Sequence, residues 1–437
     1  MEQYQGKKIL VVGLGLQGGG VGIAKFFAEL GAKVTVTDKK TQERLFSSIQ
    51  ALKDYPITFH LGHHQLKDFI EADSIFKGPS VPWTLPEIIE AEKRHIPVEM
   101  ELSFFTSNFP GKIIGITGTR GKSTITHLIY KLLKQSGFSI YLGGGLPGIS
   151  TINYLKTLGK KDWVVMELSS WALSGFHRKK ISPHIAVFTN FYPDHLNYYK
   201  NIDDYLFDKK AIYQYQKEND YLVVNKTLLH YINIMKSEVK IFLKEDFSYQ
   251  LKYLRGEHNL ENAAAALQVA RILKIDEKRA INIISNFKGL PYRQEIIGEK
   301  NNVIFVNDTT STTPIATIKA IDSFGDKKII LILGGNSKNL PTDTLIKRLI
   351  KVKKVILLAG SFTDQILDTL RVSYLDKLSN KVYDNLEEAV NEAYRLAKET
   401  KGSCVLFSPG ATSFAMFNNE FHRGDEFNRI VKEIINL

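Results

Sequence analysis

The 437-residue sequence is short of the residues that staple a fold or anchor it in a bilayer. A single cysteine, Cys404, rules out an intrachain disulfide framework and a cysteine-rich zinc site, and makes a reducing, cytoplasmic setting the expectation. No apolar stretch approaches the roughly 18 residues of a membrane span. The N-terminal apolar run from Ile9 to Leu16 is broken by Gly13 and Gly15 and lacks a small-residue cleavage site, so it does not read as a secretory leader. No run of five like charges occurs, although Lys plus Arg number 58 against 46 Asp plus Glu, a net charge of +12. Scattered pairs such as Lys39-Lys40, Lys160-Lys161 and Lys353-Lys354 argue for solvated faces rather than a nucleic-acid stripe, and leave small anionic partners open. Short repeats and low-complexity segments are absent too. What is present, 43% hydrophobic and 24% charged residues, is enough to build real cores, and the length asks for two or three of them.

Short β-branched runs alternate with amphipathic stretches in three series, the pattern of stacked βα units and mostly parallel sheets. The first series opens with a strand at Lys8–Val12, a glycine-rich turn, a helix from about Val21 to Leu30 and a strand at Lys33–Thr37. It closes near Asn108–Gly111. The second opens at Lys112–Ile116, passes a second glycine-rich turn into a helix over Thr124–Ser136, and continues through strands at Asp162–Met166 and His184–Phe188. It ends in an alanine-rich helix from about Leu260 to Leu273, before Gly289-Leu-Pro291. The third holds strands at Val303–Val306, Lys328–Leu333, Lys354–Leu358 and Ser403–Phe407. Domains at 1–110, 111–290 and 291–437 follow, with Asn108–Gly111 and Gly289–Pro291 as candidate hinges.

Gly13-Leu-Gly15-Leu16-Gln17-Gly18 has the GxGxxG form between a strand and a helix, with Asp38 after the next strand at the spacing of a ribose ligand. Glycines let the backbone approach a diphosphate, and the helix N-terminus offers unpaired N–H groups. Gly118-Thr119-Arg120-Gly121-Lys122-Ser123-Thr124 is the stronger signal, because it adds a lysine and a hydroxyl able to bind Mg²⁺ to the same cradle. It departs from the strict Walker pattern, since Ile116 stands where the first glycine would be. Glu167 and the pair Asp194-His195 follow apolar strands at the sheet edge where α/β proteins place ligands, and with a phosphate loop they form a candidate Mg²⁺ site.

These motifs, in this order, resemble the Mur ligases of peptidoglycan synthesis, and among them the glutamate-adding type. The resemblance spans nearly the whole chain. It rests on Gly118–Thr124, Glu167-Leu-Ser-Ser170, Asn190-Phe-Tyr-Pro-Asp-His195 and Gly256-Glu-His-Asn259-Leu-Glu-Asn262. It extends through Leu290-Pro-Tyr-Arg293-Gln-Glu295, Asn307-Asp308-Thr-Thr-Ser-Thr312, Leu333-Gly-Gly335 with Lys338, and Ser408–Ser413. It implies an α/β protein of three domains: an N-terminal Rossmann-like UDP-binding domain, a central P-loop ATPase-like domain with a mostly parallel sheet, and a C-terminal Rossmann-like α/β domain. The implied reaction is ATP-dependent ligation of glutamate to UDP-N-acetylmuramoyl-L-alanine through an acyl phosphate.

The resemblance also implies roles. Gly15, Leu16, Gln17, Asp38 and Lys39 would take the UDP end of that substrate rather than a nicotinamide cofactor. Gly118 to Thr124 would bind ATP, with Asn259, Arg293 and Asp308 contacting it. Lys122 would neutralise the β/γ-phosphates, while Ser123 and Glu167 hold one Mg²⁺. His195 would serve a second with Lys209, carbamylated by CO₂, in the pattern Lys209-Lys-Ala-Ile-Tyr213. Thr312, Lys338, Ser413 and an aromatic near Phe421 would hold glutamate. A monomer is expected, with neither nucleic acid nor membrane as partner.

The sequence departs from the family pattern in three places. Gly143-Gly-Gly145-Leu-Pro147 replaces a Gly-Asn turn, Thr310 replaces a lysine, and the aromatic in Phe417–Arg423 is displaced by one position. Two of these fall where glutamate would bind, so an L-glutamate-adding variant stands beside the D-glutamate one. Another Mur ligase, an NAD-dependent dehydrogenase resting on Gly13 to Gly18 and Asp38, and a nucleotide-gated binder are the alternatives.

Overall fold

The computed structural model describes residues 2–16, 18–146, 148–195, 198–232, 236–413 and 416–436. Contacts divide the chain into two compact units, Met1–Phe247 with Glu261–Ile284, and Ser248–Leu260 with Ser285–Leu437.

The first unit holds two parallel sheets. Strands β1 (Lys8–Val12), β2 (Lys33–Asp38), β3 (Ile57–Leu61), β4 (Ser74–Lys77) and β5 (Val98–Glu99) pair in the order β3-β2-β1-β4-β5. Chain order reverses between β1 and β4, which opens a crevice at their carboxyl ends. The helix Gly19–Glu29 buries Ile23, Phe26 and Phe27 against this sheet. The second sheet contains β6 (Lys112–Thr117), β7 (Ile140–Gly144), β8 (Trp163–Glu167), β9 (Ile185–Phe188), β10 (Tyr221–Asn225) and β11 (Glu238–Phe242), in the order β11-β10-β9-β6-β8-β7. Here β6 sits between β8 and β9, so whatever follows β6 is flanked by the ends of both neighbours. Ile113, Ile114 and Ile116 of β6 are fully buried between the helices that cover the two faces, as a continuous apolar strand requires.

The second unit is built on β12 (Glu295–Lys300), β13 (Val303–Asn307), β14 (Lys328–Gly334), β15 (Lys354–Leu358), β16 (Leu378–Tyr383) and β17 (Ser403–Phe407), ordered β12-β13-β17-β14-β15-β16 with only β12 antiparallel. Two apolar layers cover its faces, one around Ile321, Leu331 and Leu406, the other around Ile332, Val390 and Phe427.

The fold is therefore α/β with three mostly parallel sheets, and each strand read from the sequence is present within a few residues. Eight strands carried no sequence expectation: β3, β4, β5, β7, β10, β11, β12 and β16. They are edge or near-edge strands, most of them short or half exposed, although β10 is buried over Leu222–Asn225, and β12 is interrupted by a register shift between Ile296 and Gly298. No helix of the described residues is long and apolar enough to cross a membrane.

Candidate active site

The turn after β6 is shaped by two glycines. Gly118 has φ +149° and Gly121, at the N-cap of the helix Lys122–Gln135, has φ +82°. A β-carbon on Gly118 would lie 1.9 Å from Thr189 Oγ1, and one on Gly121 would lie 2.6 Å from Asn262 Oδ1. The loop thus needs glycine for both its turn and its close contacts. Asn190 fastens it from the end of β9. Its Oδ1 accepts from Arg120 N (2.8 Å), its Nδ2 donates to Arg120 O (3.1 Å), and its backbone O accepts from Thr119 N (3.0 Å). Thr189 Oγ1 adds a bond to Arg120 O. Lys122 Nζ arches back over the loop, donating to Gly118 O (3.0 Å) and Thr119 O (3.2 Å). The result is a cradle of backbone N–H groups at a helix N-terminus with an ammonium held across it, which is chemistry for polyphosphate.

Acidic and basic groups converge beside that cradle. Glu167 ends β8, next to the end of β6, and its Oε2 is buried with no hydrogen-bond partner among the described residues. Asp194, buried, lies beyond β9 and pairs through Oδ2 with Arg120 Nη2 at 3.4 Å. His195 adopts φ +56°, and its ring stacks obliquely on Trp171 with centroids 4.7 Å apart. Lys209, on the helix Ile202–Lys210, is 1% exposed. Its Nζ donates to Gly118 O (2.9 Å) and Thr117 Oγ1 (3.4 Å) and lies 4.7 Å from the centre of the Tyr205 ring, one helical turn back. No carboxylate lies within salt-bridge distance of that amine among the described residues. Burial first, then the charge of Lys122, pushes it well below the usual lysine range. These groups lie at the ends of β6, β8 and β9, and Tyr205 and Asn190 join them. Tyr205 is legible in retrospect, standing at i−4 from Lys209 on one helix face.

A divalent ion fits this donor set in one respect: an orphaned, buried carboxylate oxygen on Glu167 faces no protein donor among the described residues. Among the described residues no three His, Cys, Asp or Glu side chains form a ready cage.

In the first sheet, Gly13, Gly15 and Gly18 all have positive φ. Asp38, buried at the end of β2, braces the turn: Oδ2 accepts from Gly15 N (3.3 Å) and Oδ1 from Lys40 N (2.9 Å), while Ser48 Oγ donates to Gly15 O (2.7 Å). Leu16 and Lys39 are exposed. Gln17 lies outside the described residues, as does Pro147 of the Gly143–Pro147 turn.

In the second unit Asp308, just past β13, is buried and accepts from Ser311 Oγ (2.5 Å), Ser408 Oγ (2.7 Å) and Gln294 N (3.1 Å). Burial pushes its carboxyl up to about 6, partly countered by these bonds and by the charge of Arg293. Asn259 Nδ2 donates to Arg255 O (2.7 Å). Lys338 Nζ reaches Thr312 Oγ1 (3.3 Å), so these two come together. Ser413 Oγ is buried without a partner among the described residues, and Phe421 meets Tyr292 edge to face at 5.9 Å. Thr310, where the family pattern has lysine, donates instead to Tyr292 O (2.8 Å). Phe417 is partly buried against the core layer that holds Phe427, and its ring meets His422 edge to face.

Three family descriptions match this chain in order: the Mur ligase MurD-like N-terminal domain over residues 7–99, the Mur ligase middle domain over 116–248, and the Mur ligase glutamate ligase domain over 292–410. A UDP-N-acetylmuramoylalanine--D-glutamate ligase of Borreliella afzelii is 35% identical over 99% of both chains, and one from Roseiflexus sp. is 34% identical over 98% of this chain and 99% of its own. Among solved structures, UDP-N-acetylmuramate-alanine ligase MurC of Thermotoga maritima superposes with a TM-score of 0.60 at 20% identity, covering 98% of this chain and 99% of its own. MurF ligase of the same organism, in complex with ADP, gives 0.59 at 18% identity over 92% and 95%.

Proposed function

The chain belongs to the Mur ligase family, and from that premise we propose that it joins D-glutamate to UDP-N-acetylmuramoyl-L-alanine, with ATP converted to ADP and phosphate. The observation that carries this reading is the cradle after β6 with Lys122 across it, flanked by Glu167 and by Asp194-His195 at the ends of the two neighbouring strands. The names of the full-length relatives favour D-glutamate over the L-isomer, and the family assignment replaces the nicotinamide reading of Gly13 to Gly18. In this reading residues 1–110 take the UDP end, 111–290 ATP and 291–437 glutamate, in a monomer working in the cytoplasm.

A carboxylate is a poor acyl donor because oxide would have to leave. The alanyl carboxylate therefore attacks the γ-phosphorus of ATP, ADP departs, and the amine of glutamate displaces phosphate from the acyl phosphate. Charge gathers among phosphate oxygens in both steps, and Lys122 with the helix N-terminus is set to stabilise it. Mg²⁺, when bound, neutralises phosphate charge and screens the two anions from each other; Ser123 and Glu167 would hold one ion, and His195 and Lys209 a second. Lys209 is suited to carbamylation because only a neutral amine adds to CO₂: a N–C bond forms, a proton leaves, and a carboxylate-like anion stands where an ammonium would repel the ion. In the second unit, Asn259, Arg293 and Asp308 serve ATP. Thr312, Lys338, Ser413 and Phe421 offer a cation, hydroxyls and an aromatic wall to an amino acid with two carboxylates.

The test is phosphate release with ATP, Mg²⁺ and UDP-N-acetylmuramoyl-L-alanine, with D-glutamate, L-glutamate or neither added. Release that requires D-glutamate is expected. Equal rates without any amino acid would defeat the ligase reading, and dependence on the L-isomer would reverse the stereochemistry alone.

A further inference from the structure

Arg423 is the largest fully buried side chain among the described residues, 1% exposed on the helix Glu420–Asn436. Burial lowers its guanidinium only to about 10, so it is charged at neutral pH. No carboxylate lies within salt-bridge distance of it among the described residues; its partners are all uncharged oxygens. Nε donates to Thr309 Oγ1 (2.9 Å), Nη2 to Thr309 O (2.7 Å) and Ala411 O (3.2 Å), and Nη1 to Ala411 O (3.2 Å). A buried cation with no carboxylate at bonding distance, Glu420 acting on it only from farther off, is costly, and an apolar residue of similar volume would fill the space more cheaply. What an apolar residue cannot do is bond two loops at once.

The loops it bonds are those of the amino-acid site. Thr309 stands three residues before Thr312 in the loop after β13, and Ala411 two before Ser413 in the loop after β17. Gly335, three before Lys338 in the loop after β14, lies nearby: a β-carbon there would meet Nη1 at 3.5 Å, an ordinary contact distance. Thr309 Oγ1, while accepting from Nε, donates to Glu420 O (3.1 Å), which ties in the residue preceding Phe421. One guanidinium thus touches or adjoins every segment that carries Thr312, Lys338, Ser413 and Phe421.

We propose that Arg423 is the positioning residue of the glutamate pocket: its planar fork fixes the spacing of the loops after β13 and β17, with the loop after β14 packed alongside, and hence of the groups that hold the two carboxylates. Lysine would supply the charge but only a point donor, which cannot bond both carbonyls and the hydroxyl in one plane. The inference rests on reading Thr312, Lys338 and Ser413 as that pocket.

The experiment compares the full-length parent with Arg423→Lys, Thr309→Val and Lys338→Ala, measuring KM for glutamate, ATP and the UDP substrate separately, with thermal melts as the folding control. Arg423→Lys is expected to raise the glutamate KM by about tenfold to a hundredfold, the range for binding groups misplaced by up to about 1 Å, with the other two KM values within about twofold. Thr309→Val, which nearly keeps volume and removes both the acceptor for Nε and the donor to Glu420 O, is expected to shift the glutamate KM the same way by less. If Arg423→Lys does not fold, Thr309→Val decides by the same split. An unchanged glutamate KM, or equal rises in all three, overturns the positioning role. If Lys338→Ala leaves the glutamate KM unchanged, the pocket reading itself fails. If Lys338→Ala raises it while Arg423→Lys does not, only the positioning role falls.

Discussion

Replacing Lys122 by alanine separates the chemistry of the cradle from its folding. In the structure its ammonium rests on two carbonyl oxygens, Gly118 O at 3.0 Å and Thr119 O at 3.2 Å, without needing them for the loop's shape, which Asn190 and Thr189 already fix through Arg120 and Thr119. Gly118 O also keeps a second donor, Lys209 Nζ at 2.9 Å. Losing the two lysine bonds therefore costs at most about 1–2 kcal/mol of stability, at roughly 1 kcal/mol net each. The catalytic loss is larger. An ammonium about 4 Å from a phosphate oxygen contributes about 4 kcal/mol at the effective dielectric of a partly exposed site, and deleting one preorganised donor to developing charge typically costs about 10²–10³ in kcat. Phosphate release at saturating substrates should thus fall by two to three orders of magnitude on the scale just given, while the melt shifts only slightly. A rate within about threefold of the parent, under 1 kcal/mol of barrier, would refute the phosphate role. So would a loss that merely tracks unfolding.

Three further outcomes are expected. Lys209→Met should abolish most activity, by about a hundredfold or more if a metal ligand is lost, yet leave the melting temperature unchanged or raised, because a desolvated amine held by neutral oxygens is replaced by an apolar chain of similar length; a clear drop in stability would contradict this. Asn190→Ala removes both side-chain bonds to the Arg120 peptide and should lower stability by about 2 kcal/mol and raise the ATP KM more than the glutamate KM, in denaturation and steady-state assays respectively. Asp308 is held near 6 in the folded protein against an ordinary 3.8, so the folded state binds more protons between those values. Its contribution is fully present below about pH 4 and is lost as pH rises through about 6, roughly 3 kcal/mol in all. The stability difference between parent and Asp308→Asn should therefore change across that window in unfolding titrations, and a flat difference would disprove the assignment.

The sequence spoke most clearly where backbone geometry itself dictates residue type. Gly118 and Gly121 are forced by positive φ and by contacts with Thr189 and Asn262 that leave no room for a β-carbon, so their spacing before Lys122 is a direct trace of three-dimensional shape. Strands such as β6 and β17, buried on both faces, write themselves as largely apolar runs with no polar alternation. By contrast β12, with Glu295, Gly298, Glu299 and Lys300 in six residues, is held by pairing with β13, a tertiary fact that local pattern does not carry. Arg423 was illegible for a related reason. A lone arginine among Glu420, His422 and Asp425 reads as a solvated helix face, and only the fold reveals that this position points inward.

Asp38 shows a subtler limit. Its spacing after the first glycine turn points to a ligand contact, yet in the structure both carboxylate oxygens are already engaged by Gly15 N and Lys40 N. A carboxylate so occupied shapes the turn, and a ligand at this crevice meets loop backbone at least as much as an acidic side chain. This contrasts with the turn after β6, where the group within reach is an ammonium, and with the loops after β13 and β14, where Lys338 meets Thr312. The three sheets thus repeat one device, loops at the carboxyl ends of parallel strands, and differ in the charge they set there. In the proposed reaction the sites would take a diphosphate, a triphosphate and an amino-acid dicarboxylate, and an ammonium is held across the loop where phosphoryl transfer concentrates negative charge. That match between local charge and chemical demand is what a common fold alone would not produce.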